Sequence, residues 1–142
     1  MAATLKQYPA PIQQDALMAT NSAALPNAAN TINTSVIDLQ TPNTGPFPTT
    51  GRFVAQIATT QSTGANSLNI NCTWQDSGDN ASFANIVGIG TLRIAGNAAN
   101  YPATTFNVTF PPSTRRYVRV TATGEANGGN ASDGTITGKL LF

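Results

Sequence analysis

The chain has 142 residues with seven Lys or Arg, six Asp or Glu, no His and one Cys, for a net charge of +1. That length is one domain, able to bury roughly 68–70% of its unfolded surface. The missing imidazole and the single thiol exclude the commonest general base, an internal disulfide and a multi-cysteine metal site, and a charge near zero gives no reason to expect nucleic acid or a membrane as partner.

Charged residues make up 9% of the chain, against about 25% in an average soluble domain. The surface is therefore neutral-polar, rich in Thr, Ala and Asn, which suits a protein docked against other protein. No apolar run reaches the length that spans a bilayer. The first residues, Met-Ala-Ala-Thr-Leu-Lys-Gln-Tyr-Pro, lack a charged segment followed by an apolar one. No signal peptide is expected, and synthesis in a cytoplasm is the default.

Residues 1–30 contain Pro9, Pro11 and Pro26 and two charges, Lys6 and Asp15. They read as an extended N-terminal arm, whose 30 residues reach at most about 100 Å, long enough to grip a neighbouring subunit, or as a disordered tail. Its deletion is expected to leave the fold intact. Residues 31–142 read as the folded domain. An irregular strand is expected over 32–39, with Val36 and Ile37 adjacent. Pro42, Gly45, Pro46 and Pro48 make a rigid loop. Over 52–59, Phe53, Ala55 and Ile57 share a face. A loop with Ser62, Gly64 and Asn66 then leads to the central strand.

That strand, 68–75, reads Leu-Asn-Ile-Asn-Cys-Thr-Trp-Gln. Leu68, Ile70, Cys72 and Trp74 fall on one face, and a helix would scatter them around its circumference. Residues 76–80 read as a turn of Asp, Ser, Gly and Asn. Gly88 and Gly90 predict a bulge or bend between two short strands, the second carrying Leu92 and Ile94 on one face. A polar loop is expected over 96–102. Next come Phe106, Val108 and Phe110 in alternation, ended by Pro111 and Pro112, and then Val118, Val120 and Ala122. A Gly/Asn loop over 124–134 precedes a last strand, with Ile136, Leu140 and Phe142 on one face.

Short strands separated by Gly, Pro, Asn and Asp, with no convincing helix, predict an all-β antiparallel sandwich. About eight strands in two sheets favours a jelly roll, although their pairing order is not legible in one sequence. The expected core is Phe53, Leu68, Ile70, Cys72, Trp74, Phe106, Val108, Phe110, Val118 and Val120.

Candidate sites are few. Asp76 and Asp79 are two carboxylates in one expected turn, but the calcium-loop pattern is missing and turn chemistry explains both. Arg115, Arg116 and Arg119 place three of the seven cations close together beside Tyr117. They suit a protein interface or a salt-bridged strand end better than nucleic acid. Five Asn-X-Ser/Thr triplets, at Asn33, Asn71, Asn80, Asn107 and Asn130, are expected by chance in this composition. Cys72 points inward without a His or carboxylate neighbour, so burial is its expected role. No cofactor, metal or catalytic set is expected.

Several segments resemble one family. Ser35-Val36-Ile37-Asp38-Leu39 after an arm with Gln14-Asp15-Ala16 resembles the start of the jelly-roll capsid cement (decoration) proteins of tailed bacteriophages, of the Bordetella-phage type. Trp74-Gln75-Asp76-Ser77-Gly78-Asp79-Asn80-Ala81-Ser82-Phe83 is similar to that family's central strand and hairpin. Residues 116–124 and 134–138 are similar to its last two strands. The likeness spans about residues 13–142 and rests on the order and spacing of its segments. The Pro-rich loop over 41–50 and the first dozen residues do not match.

The resemblance implies a non-enzymatic virion protein on the outer surface of a shell of HK97-fold major capsid subunits, made in the host cytoplasm and working as a homo-oligomer, dimer or trimer. Two rival expectations come from other classes. One is a receptor- or carbohydrate-binding β-sandwich module, which needs a groove with exposed aromatics. The other is a small hydrolase using Asp76 or Asp79, which the lack of His already disfavours.

Overall fold

A computed structural model of the chain describes residues 21–39, 54–66, 68–95, 99–101, 103–126 and 128–141. Among these residues the strands are β1 (Asn21–Ala24), β2 (Thr31–Asn33), β3 (Ile37–Asp38), β4 (Val54–Thr59), β5 (Ser62–Asn66) and β6 (Ile70–Ser77). They continue as β7 (Ala84–Asn85), β8 (Leu92–Ile94), β9 (Ala99–Tyr101), β10 (Thr104–Thr109), β11 (Tyr117–Gly124) and β12 (Thr135–Leu141). One sheet runs β1-β12-β4-β10. The other runs β2-β11-β6-β7, with β3 also on β11 and β8 also on β6.

All these pairings are antiparallel. β2 and β3 are two halves of one edge position. Four steps from Asn33 to Ile37 face three from Thr121 to Val118, so one extra residue bulges. Thr34 fills the bulge by donating its N–H to Val120 O (2.9 Å) and accepting the Val120 N–H on its hydroxyl (3.0 Å). β7 and β8 likewise share one edge of β6. Between Asn85 and Leu92 the chain loops out at Gly88, whose φ of 93° requires glycine, as its spacing predicts.

Counted by position, the first strand pairs with the eighth, the second with the seventh, the third with the sixth and the fourth with the fifth. This is a long hairpin rolled on itself, the jelly-roll order. The fold is an all-β antiparallel sandwich. The expected count of about eight holds for the positions, while the strands are more numerous because two positions are broken and β5 pairs β9 as a separate ribbon. Both ribbon segments were expected as loops. They lack apolar alternation because they belong to neither sandwich sheet.

Three boundaries differ from expectation. Asn21–Ala24 pairs with β12 and Leu25 is buried, so the sandwich takes in the distal part of the expected 1–30 arm. Deleting 1–30 would therefore remove a strand; residues 1–20 lie outside the described residues. The central strand extends to Ser77, which puts Asp76 in a ladder opposite Val118 rather than in a turn. Val36 and Ile37 are split by the bulge, Ile37 buried and Val36 exposed.

The core forms where the inner faces meet. Leu68, Ile70, Cys72, Trp74, Phe110, Val118 and Val120 are all buried, as expected. Trp74 packs edge-to-face on Phe110, with ring centroids 5.2 Å apart and planes at 79°. Phe106 and Val108 face inward but are only half-buried, because β10 is an edge strand with no neighbour among the described residues beyond it. Phe53 and Phe142 lie outside the described residues. Above the Trp74 ring sits Gly138. A Cβ there would lie 2.6 Å from Val120 Cγ2 and 3.0 Å from Trp74 Cη2, so glycine lets the two sheets close.

Candidate functional surface

Period-two alternation sends the outer side chains of β2, β11, β6, β7 and β8 to one solvent face. Because those strands carry Thr, Asn and Gln at the outward positions, the face is a lattice of hydroxyls and amides. A groove of about 570 Å³ lies on it, lined by Thr31, Asn71, Thr73, Gln75, Asn85, Thr91, Thr121 and Thr123. Thr73 is 7% exposed and forms part of the floor. Its hydroxyl donates to Gly90 O (3.4 Å) on the excursion between β7 and β8.

Fixed groups close both ends. At one, the Arg119 guanidinium lies 4.0 Å from the Phe83 ring centroid and its Nε donates to Gln75 Oε1 (3.0 Å). Gln75 passes the chain on to Asn85 Oδ1 (3.1 Å). At the other, Glu125 accepts from Arg93 Nε (3.1 Å) and from Asn71 Nδ2 (3.0 Å). Arg93 foremost, then Asn71, hold the Glu125 carboxyl below its ordinary value. Thr31 and Thr123 share a hydroxyl bond of 2.9 Å across the rim. These bonds hold the lattice in one arrangement.

The arginine cluster is used within the chain. Arg115 grips Asp76 four ways, through Nη2 to Oδ1 (2.7 Å) and to the backbone O (2.9 Å), Nε to Oδ1 (3.0 Å) and its backbone N–H to Oδ2 (2.9 Å). Asp76 is nearly buried and Arg115 half-exposed. Arg116 forks onto Asp38 at 2.7 and 2.9 Å, which raises its pKa, and lies 5.1 Å over Tyr117. The salt-bridged strand end weighed above is therefore what these side chains form. It braces β3, β11 and β6 together.

Asp76 and Asp79 are held by different partners. Asp79 turns into its own loop and accepts from the N–H groups of Ser82 (2.9 Å) and Ala81 (2.9 Å) and from the Ser77 hydroxyl (2.8 Å). Those donors, Ser82 first, lower its pKa to about 2. A carboxyl lowered on folding adds stability above its unfolded value of about 3.9 and loses it as pH falls towards 2. An NMR titration is expected to place Asp79 near pH 2 in the native state, and Asp79→Asn should flatten the acid limb of the stability curve over that window. A midpoint near 4 would mean that the loop bonds do not form in solution.

Burial pushes the Cys72 thiol up to about 12, so it is not a nucleophile in the folded chain. Among the described residues, no three of His, Cys, Asp and Glu cluster as a metal set. The groove was not legible in advance. Its residues come from strands far apart in sequence, and only the pairing order brings them together. In retrospect the signal lies in the outward half of the alternation, polar at every position from Asn69 to Gln75.

No family model and no curated protein matches the chain. Among solved structures, one similar chain is a "Family 16 Carbohydrate Binding Module-2", 10% identical, covering 85% of each chain with a TM-score of 0.35. At that score the likeness bears on neither ligand nor role.

Proposed function

We propose that the protein is a capsid cement protein: a non-enzymatic virion component that sits on the outside of an HK97-fold major capsid shell and ties neighbouring subunits together as a homo-oligomer. Support comes from where the resembling segments lie. The stretches 35–39, 74–83 and 116–124, far apart in sequence, occupy adjacent strands of one sheet. Asp38–Arg116, Asp76–Arg115 and Phe83–Arg119 lock them there. The remaining resembling stretch, 134–138, lies at the start of β12 of the other sheet.

Such a body works by multivalent clamping. Each contact with the shell is weak, and a rigid oligomer touching several subunits at once raises the effective concentration of every further contact. Because it binds the assembled surface and not free subunits, it stabilises the shell by mass action. The purified chain is expected to co-sediment with undecorated phage heads and to raise their rupture temperature. Heads that neither bind it nor gain heat resistance would exclude the role. A chain lacking residues 1–20 keeps every described strand, so loss of binding on that deletion would assign the attachment to the N-terminal segment.

The neutral groove favours a second function, binding of a receptor or glycan through hydroxyls and amides. Its eight lining residues include no aromatic ring on which a sugar stacks, which places this function behind the first. Millimolar or tighter glycan binding by the isolated domain, lost on Gln75→Ala and Thr73→Val, would reverse the order.

A further inference from the structure

Among the described residues the two sheets have four edges, and three of them are short or broken. β1 has four residues and β2 three, while β7 and β8 are interrupted by a loop. The fourth, β10, is a regular six-residue strand, Thr-Thr-Phe-Asn-Val-Thr, with no charge, proline or bulge in it. Exposed edges normally carry such features because their free N–H and C=O groups template pairing with another chain.

The direction of those free groups follows from the bonds present. Thr60 donates its N–H to Thr135 O on β12, so alternation turns Thr59, Ile57 and Ala55 towards β10. Their partners Thr104, Phe106 and Val108 therefore face β4. Consistently, the Thr59 hydroxyl accepts the Thr104 N–H (3.2 Å) and donates to Thr104 O (3.4 Å). This leaves the backbone groups of Thr105, Asn107 and Thr109 pointing away from the sheet, and the side chains of the same three residues are exposed.

We propose that β10 pairs antiparallel with β10 of a second copy of this chain, about a twofold axis at Asn107, and joins two four-stranded sheets into one of eight strands. With Asn107 opposite itself, Thr105 meets Thr109 and the outward-facing N–H and C=O groups of each copy bond those of the other. On the inner side Phe106 meets Val108, which covers the two half-buried apolar residues of the strand. Pairing stops where Pro111, with no N–H, comes opposite Ala103. No like charges are opposed, because the strand has none. Beside the edge, the excursion whose Gly90 approaches Phe106 presents Val87, 85% exposed, as further apolar surface.

The contact is isologous, so it closes as a dimer and does not build a trimer. Six residues span about 20 Å, which sets the interface at the small end of the size range and its dissociation constant on the order of 1–100 µM. This deepens the oligomer clause of the proposed function and rests on it only for its use. The solution test below contains no shell: a β10 dimer that never binds heads would sink the cement role alone.

The test is sedimentation equilibrium of the full chain with cysteine cross-linking. The mass is expected to double from 14.7 kDa with rising concentration. Asn107→Pro removes an N–H that β4 does not use, so the fold survives on an edge strand while dimerisation weakens at least tenfold. Asn107→Cys should form an intermolecular disulfide under mild oxidation, because hydrogen-bonded antiparallel partners sit about 5.5 Å apart at Cα, within disulfide reach. Thr105→Cys should not, and buried Cys72 does not compete. A monomer at every concentration, a trimer, a dimer indifferent to Asn107→Pro, or stronger cross-linking at Thr105→Cys would each overturn the pairing.

Discussion

Trp74→Ala is expected to cost about 3–5 kcal/mol of folding stability, or a fall in melting temperature of about 10 °C or more. The indole is nearly fully buried at the middle of β6. Its loss opens a cavity between Gly138, Val120 and Phe110, and the ladders that hold Gly138 and Val120 limit its collapse. The edge-to-face contact with Phe110 adds about 0.5–1.5 kcal/mol beyond area. One observation sharpens the expectation: Trp74 Nε1 is buried with no hydrogen-bond partner. Removing an orphan donor recovers about 1–3 kcal/mol, so Trp74→Phe should cost much less than Trp74→Ala. Urea unfolding followed by circular dichroism reads both. An alanine variant within 1 kcal/mol of the parent would displace Trp74 from the centre of the core.

Gly124→Ala is the second expected large effect, about 3 kcal/mol or more. Gly124 ends β11, where its N–H donates to Asn30 O (2.9 Å) and its carbonyl accepts from Ala29 (3.0 Å). A Cβ at this position would lie within overlap distance of the Asn27 carbonyl oxygen, which is backbone. No rotamer relieves that contact. The turn at 27–30 must move, and with it Ala29, already held at φ 62°. At Gly138 the obstructing atoms are side chains, which can give way in part. At Gly128 nothing lies within 4 Å and only the positive φ of 82° resists alanine, at about 1–2 kcal/mol. Thermal unfolding should therefore rank the alanine variants 124, then 138, then 128, from most to least damaging. A Gly124→Ala protein as stable as Gly128→Ala would mean that the turn is not docked.

What the sequence revealed and what it hid divide along physical lines. Strands with one wet and one dry face announce themselves by period two, so Leu68 to Trp74 and Val118 to Ala122 were readable down to the inward residue. β1 and the β5–β9 ribbon were not, because Asn-Ser-Ala-Ala and Ser-Thr-Gly-Ala-Asn carry no apolar alternation and gain their partners only from tertiary pairing. The arginines were visible as a cluster, but Arg115 finds Asp76 39 positions away and Arg116 finds Asp38 78 positions away. Sequence spacing does not encode such distances. The outer groove stayed hidden for the same reason.

The bond between Ser22 and Thr137, 2.9 Å long across 115 positions, has a kinetic consequence. β12 is an inner strand of its sheet, flanked by β1 and β4, so β1 gains its ladder only once β12 is in place. The entropic toll of closing so large a loop sets self-assembly on the millisecond-to-second scale typical of such topologies. Among the described residues, a product truncated before Thr135 leaves β1 without a ladder partner and β4 paired with β10 alone.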